Sequence, residues 1–201
     1  MARGELWLIR HGQSTANAGA ATSDVGASPL TALGREQALL AARQVDRRPD
    51  LLIVSPFLRA QETAAPILER WPGTPMQVWP IQEFTYLSAL KCAGLTVHER
   101  RPLADAYWRR ADPGYRDGDD AESFSEFAGR LRAFDERVRT LPGFIVAVGH
   151  GQFFHAYQLA LASGLEATPP WMRRFRETDL ASPIENGQVV RVDLADRALY
   201  G

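Results

Sequence analysis

Arg10 and His11 stand at the end of the apolar run Leu6-Trp7-Leu8-Ile9, directly before Gly12. A guanidinium offers a rigid fork of donors suited to a phosphate or carboxylate. An imidazole can act as nucleophile or base near neutral pH. The polar run Gln13-Ser14-Thr15-Ala16-Asn17 follows and adds side-chain and backbone donors. The same stretch equally describes a strand and an ordinary turn, with Arg10 solvated and His11 a structural hydrogen-bonder. Two later places repeat the pattern: Leu51–Val54 ends in Ser55 with Arg59 close behind, and Phe144–Val148 runs into Gly149-His150-Gly151. Core packing accounts for the apolar runs but not for the polar residues that end them. Two histidines and two arginines can surround a tetrahedral phosphate, one imidazole attacking while the other groups neutralise its oxygens.

For that to happen, the elements must bring these ends together. The short apolar runs predict buried strands, and helical spacings lie between them. Thr31 reads as the N-cap of a helix packed through Leu33, Ala38, Leu40 and Ala41. A second helix is expected from about Phe57 to Arg70, with Leu58, Ala65, Ile67 and Leu68 as its apolar positions. Met76–Trp79 is a short strand candidate. Residues 84–96 read as a segment with a short helix, 98–110 and 122–141 as helices, and 112–120 as a loop. A further helix spans about Phe153–Ser163 and stops at Gly164. Glu166–Thr178 reads as a connection with a double proline, Asn186-Gly187 as a type I′ hairpin turn, and Gln188–Asp193 as a last strand. Alternating strands and helices predict a largely parallel sheet covered on both faces, with Arg10, His11, Ser55 and His150 on one side of it. Residues 1–201 are expected to form one domain, with a helical insertion or cap at about 84–120.

Composition narrows the function classes. The chain has 201 residues, 23 Lys and Arg against 24 Asp and Glu, and an apolar fraction of 45%. No basic stripe points to nucleic acid, and no apolar span suits a bilayer. Met1–Glu5 lead into an apolar run too short for a signal-peptide core, and Ala18–Ala27 reads as an exposed loop. Cys92 is the single cysteine, which excludes an intrachain disulfide and fits a cytoplasmic location. A metal site drawn from His11, His150, Glu83 and Asp24 lacks any familiar ligand spacing, and two arginines would oppose the cation. No Walker A lysine, dinucleotide fingerprint or G-x-S-x-G serine is present.

Arg10-His11-Gly12-Gln13-Ser14-Thr15 with Asn17 resembles the signature of the histidine phosphatase superfamily, the phosphoglycerate mutase-like branch. Three more segments resemble family blocks in the same order: Pro29–Ala38, Ser55–Ala64 and Val148–Gly151. The resemblance implies a three-layer α/β/α sandwich with a mostly parallel central sheet. It implies His11 as the nucleophile that becomes phosphohistidine. Arg10, Arg59 and His150 would bind the phosphoryl group with help from Asn17. Glu83 would be the acid that protonates the leaving oxygen and later deprotonates water. That role needs a carboxyl pKa held above the free value of about 4.3. The Gln82-Glu83-Phe84 context matches the family only loosely, and a surface carboxylate is the commoner fate of a glutamate.

The activity implied is hydrolysis of a small phosphomonoester, with no metal or organic cofactor required. The partner is a small phosphorylated metabolite rather than nucleic acid or membrane, and the protein is expected as a monomer or homodimer. Mutase-type transfer is one alternative, although the chain is short for a cofactor-dependent phosphoglycerate mutase. A non-catalytic phosphate-ligand or protein-binding module on the same fold is the other.

Overall fold

The computed structural model describes residues 4–21, 24, 26–194 and 199. Parts of two expected features, the Met1–Glu5 segment (Met1 to Arg3) and the Ala18–Ala27 loop (Thr22, Ser23 and Val25), lie outside the described residues. In chain order the elements are β1 (Glu5–Arg10), α1 (Ala32–Gln44), β2 (Leu51–Val54), α2 (Leu58–Arg70), β3 (Met76–Val78) and the single turn α3 (Ala89–Cys92). Then come α4 (Val97–Arg110), α5 (Phe124–Val138), β4 (Phe144–Gly149), α6 (Gly151–Ser163), α7 (Pro169–Ala181) and β5 (Val189–Asp193).

The five strands form one sheet in the order β3-β2-β4-β1-β5. β1 to β4 run parallel and β5 lies antiparallel against β1. β2 and β4 are buried along their whole length, as expected of strands covered on both faces. Side-chain alternation divides the core. Trp7, Ile9, Leu52, Val54, Val146 and Val148 pack with α1 and α2. Leu6, Leu8, Leu51, Ile53, Ile145 and Ala147 join the cluster that includes α5, α6 and α7. The result is a three-layer α/β/α sandwich with a mostly parallel sheet.

Several sequence expectations need correction. The segment read as a connection, Glu166–Thr178, is mostly helix: α7 starts at Pro169, capped by Thr168, whose Oγ1 accepts from the Trp171 amide. Proline at the first helical positions removes only donors that have no intrahelical acceptor. Asn186-Gly187 does form a turn, with the Gln188 amide donating to Glu185 O at 3.0 Å. It is not type I′, because Gly187 alone of the pair has a positive φ, at 78°. No strand precedes it, so it leads into β5 without making a hairpin. α1 buries Gly34, Ala38, Ala41 and Ala42, while Leu33 and Leu40 are exposed. In α2, Thr63, Ala64 and Ile67 are buried, whereas Ala65 and Leu58 are exposed.

The segment 84–120 lies over the α5–α7 face. Phe84 stacks on Phe127 at 4.4 Å and meets Phe124, Tyr107 and Trp108 edge-on. Such ring contacts add to the burial of large apolar area.

Candidate active site

The parallel register sets the three strand ends side by side. Arg10 pairs with Gly149 and Val54 with Val148, so residues 11, 55 and 150 emerge together. The His11 amide donates to Gly149 O at 2.9 Å and the Ser55 amide to Val148 O at 3.0 Å, extending the ladder to the site.

Close backbone packing fixes the loop after β1. A Cβ on Gly12 would come within 2.2 Å of Gly34 O, and one on Gly34 within 2.0 Å of Gln13 O. Glycine at both positions lets the start of α1 press against the loop, which explains why α1 packs through small residues. The Gly12 amide donates to Thr63 Oγ1, whose hydroxyl donates to Arg59 O, so this loop and α2 hold each other.

His11 is 2% exposed. Its Nδ1 lies 2.7 Å from Gly12 O, an acceptor, so Nδ1 carries the proton and Nε2 carries the lone pair. Nε2 receives the Arg59 Nε–H at 3.1 Å. Burial, then the nearby Arg59 charge, pulls the His11 pKa down to about 3, with Arg10 adding to the effect and the Gly12 bond opposing it. The ring is therefore neutral across the physiological range.

His150, fully buried, stands at the N-terminus of α6 without a side-chain bond to the helix amides. Its Nδ1 sits 3.3 Å from Arg59 Nη2, a group that only donates, so Nε2 carries the proton and donates to Ser55 Oγ at 2.8 Å. Burial depresses its pKa well below the usual imidazole value, with His11 and Arg59 acting in the same sense. The two imidazole rings meet edge to face at 4.9 Å. Arg59 thus touches both histidines, and burial brings its own pKa down to about 10 while Glu83 opposes the shift.

Arg10 donates through Nη1 to Ile184 O, while its buried Nε has no hydrogen-bond partner. A Cβ on Gly151 would approach that Nε to 3.1 Å, so glycine leaves room for the guanidinium. Glu83 is half-buried at the N-terminal end of α6, where Oε1 accepts from the Gln152 amide at 3.1 Å and from the Phe84 amide at 3.3 Å. Burial raises its pKa; Arg10 and Arg59 pull it down, and Asp179 pushes it up.

Asn17 is exposed, and its Oδ1 accepts from the Ser14 amide and hydroxyl. It joins His11 through Asn186, whose Nδ2 donates to His11 O at 2.9 Å and reaches Asn17 Oδ1 at 3.5 Å. The structure therefore gathers His11, Arg59 and His150 in direct contact, with Arg10 and Glu83 beside them and Asn17 in the loop behind. His155 is not among them; it bonds Thr178 on α7. Among the described residues no three His, Cys, Asp or Glu side chains converge on one point.

Sequence reasoning missed Thr63, Gln152 and the Ile184–Asn186 segment. Gly187 N also donates to Arg10 O, so that segment supports both signature residues. Only the Asn-Gly pair signalled a turn there, and nothing local signalled what the turn would hold.

A cleft of about 1190 Å³ opens beside Glu83 and Phe57 and runs along residues 84–105 to Arg176 and Leu180 of α7. Among the described residues no helix is long and apolar enough to cross a membrane.

A family model for the histidine phosphatase superfamily (branch 1) matches residues 6–190. A glucosyl-3-phosphoglycerate phosphatase of Mycolicibacterium vanbaalenii is 37% identical over 106 residues, 52% of this chain and 47% of that protein. The matched stretch thus spans about half the length of that relative. An adenosylcobalamin/alpha-ribazole phosphatase of Escherichia coli is 29% identical over 179 residues, covering 83% of this chain and 82% of that one. Among solved structures, a mycobacterial glucosyl-3-phosphoglycerate phosphatase in complex with VO3 superposes with a TM-score of 0.71 at 27% identity, covering 96% of this chain and 91% of that one.

Proposed function

Because this chain belongs to the histidine phosphatase superfamily (branch 1), we propose that it hydrolyses a small phosphomonoester through a phosphohistidine on His11. The observation that carries the reading is the His11 ring itself. It is neutral, its tautomer is set by Gly12 O, and its Nε2 lone pair faces the guanidinium of Arg59.

An arriving phosphoryl group takes over the donors that Arg59 now spends on the two histidines, and the unpartnered Arg10 Nε supplies another. These cations and the α6 N-terminus offset the charge on the phosphoryl oxygens. His11 Nε2 then attacks phosphorus. An N–P bond forms, the bond to the leaving oxygen breaks, and Glu83, whose pKa burial raises, gives its proton to that oxygen. In the second half a water attacks phosphorus, the Glu83 carboxylate takes its proton and the N–P bond breaks. Inorganic phosphate leaves and the Nε2 lone pair is restored. Asn17 holds an oxygen in this scheme, and His150, whose Nε2–H is engaged by Ser55 Oγ, binds one by taking up a second proton on Nδ1, which the negative phosphoryl oxygens favour; residues 84–120 cap the site. The route uses no metal or organic cofactor.

Rapid acid-free quenching of turnover on a labelled phosphomonoester tests the reading. An acid-labile label on His11, and turnover indifferent to chelator, are the expected results. Chelator-sensitive turnover, or label on any other residue, rejects it. Mutase-type transfer predicts instead that isomerisation primed by a bisphosphorylated sugar acid outruns phosphate release.

A further inference from the structure

The cleft beside Glu83 is larger than the phosphate end requires. Its volume, about 1190 Å³, exceeds the range of roughly 300–1,000 Å³ typical of small-molecule sites, so most of it is available to the leaving group. Phe84, Tyr86, Leu87, Val97 and Leu180 contribute apolar wall. This wall is braced: the Tyr86 ring lies 4.8 Å from Tyr107 and 5.2 Å from Trp108, and Phe84 stacks on Phe127. Braced aromatic faces favour flat or cyclic groups over short polar ones.

The charged lining points the same way. Arg100, Arg101 and Arg176 face a matching set of carboxyl groups on Asp24, Asp105 and Asp120, beyond Glu83 itself. The Arg176 guanidinium lies 5.1 Å over the Trp108 ring and 3.9 Å from Asp179. A cleft so balanced has no excess positive charge for a second phosphate or a polycarboxylate, but its edge supplies donors and acceptors for neutral polar groups.

We propose that the leaving group is an extended, ring-bearing alcohol without a second strongly anionic group, seated on the wall formed by Tyr86, Val97 and Leu180 over the buried ring of Phe84. This deepens the phosphatase reading and rests on it. Short phosphorylated sugar acids reach the phosphate end but leave the wall unused.

The test compares kcat/KM for 2-phenylethyl phosphate, ethyl phosphate and 3-phosphoglycerate, three primary alkyl esters with leaving oxygens of similar basicity. The phenylethyl ester is expected to exceed each of the others by at least about tenfold, the discrimination carried by burying one ring. Leu180→Asp and Val97→Asp put a charge at exposed positions of the wall, so folding is not at stake. Each is expected to lower the phenylethyl-to-ethyl ratio by about threefold or more. A wild-type ratio within twofold of one, faster 3-phosphoglycerate turnover, or a ratio unmoved in both variants overturns the inference while phosphatase activity stands. No turnover of any ester and no label on His11 overturn both readings.

Discussion

Two buried polar clusters in this molecule are built on opposite principles. In one, both Asp135 oxygens are engaged: Arg139 Nε donates to them at 2.8 and 2.9 Å, Tyr157 Oη donates to Oδ1 at 2.7 Å, and the Leu199 amide reaches Oδ2 at 3.3 Å. A carboxylate and a guanidinium cancel each other, and the cluster ties α5 to α6 and to the end of the chain. In the other, Arg59 is held between two neutral imidazoles and Arg10 keeps a buried Nε without a partner. Glu83, the carboxyl whose charge acts on both arginines, has a raised pKa. The first cluster is complete as it stands. The second keeps a buried donor, Arg10 Nε, without a partner, and the proposed phosphoryl group would take it.

Exchanging the two roles gives the largest effects. His11→Asn is expected to cut kcat on the order of 10⁴-fold or more, as removal of a nucleophile does. Arg59→Met is expected to lower kcat/KM on the order of 10³-fold, with a urea midpoint that moves far less than that of Asp135→Ala. Asp135→Ala should cost about 2–4 kcal/mol, because it removes the buried acceptor that Arg139, Tyr157 and the Leu199 amide share, and should leave the kcat of the folded enzyme within about twofold. Urea melts and steady-state kinetics on the same three variants read the contrast. An Asp135→Ala enzyme as inactive as His11→Asn would erase it.

Glu83 is the hinge of the second cluster, and the next effect is smaller. Glu83→Gln keeps the acceptor for the Gln152 amide but has no proton to give. Hydrolysis of an alkyl phosphate should fall about 10²-fold or more. An aryl phosphate, whose leaving oxygen needs little protonation, should fall less than about tenfold. Equal losses on both esters would take Glu83 out of the proton transfer.

The sheet ends were legible because short apolar runs had to be strands, and polar residues at their ends were costly unless used. The positions of Arg10, His11 and His150, with Arg59 close behind Ser55, were therefore readable, as was a largely parallel sheet covered on both faces; their roles and the three-layer sandwich came from the family resemblance. Other features depend on what the chain meets far away. The partner of Arg10 Nη1 is Ile184 O, 174 residues on. The helix α7 hid behind two prolines that are harmless at its start. The exposure of Leu33 and Leu40 follows from the tight approach of Gly34 to Gln13, which no apolar periodicity encodes. Asp135 reads as one more charged residue on a helix until Tyr157 and Arg139 close around it. The charge-balanced cluster was the less visible of the two, since its members come from ordinary helical positions.

The clusters also differ in how acid affects them. In the native state the His11 pKa is about 3, whereas an unfolded imidazole titrates near 6.5. Between those values the unfolded chain holds a proton that the native ring does not. The resulting stability is complete above about pH 6.5 and is lost as pH falls toward 3. His150 acts in the same direction. Glu83, shifted the other way, lowers stability as pH rises from 4.5 through its raised pKa, so the two contributions must be separated. Relative to His11→Asn, the wild type should lose about 2–3 kcal/mol between pH 6.5 and 4.5. Paired urea titrations at the two pH values measure this, and parallel curves would mean that the ring is not held neutral by the fold.

The smallest effect comes from Asp179, a carboxylate that reaches the site at second hand. Gln152 bonds Glu83 through its amide and Asp179 through Nε2 at 3.1 Å, so a negative charge on α7 sits one residue away from the acid. Arg10 from β1 and Arg59 from α2 face the same carboxyl and favour its ionised form; burial and Asp179 favour the protonated one. Asp179→Asn removes one member of the second pair. The Glu83 pKa then drops, its protonated fraction at a given pH shrinks, and the limb of kcat/KM that Glu83 sets moves to lower pH. On that limb an alkyl phosphate should turn over about two- to threefold more slowly, an aryl phosphate no more slowly, and Asp179→Glu should restore the profile. A uniform loss at every pH would instead mean that Asp179 serves α7 through its contact with Arg176, and that the acid owes its protonation to burial alone.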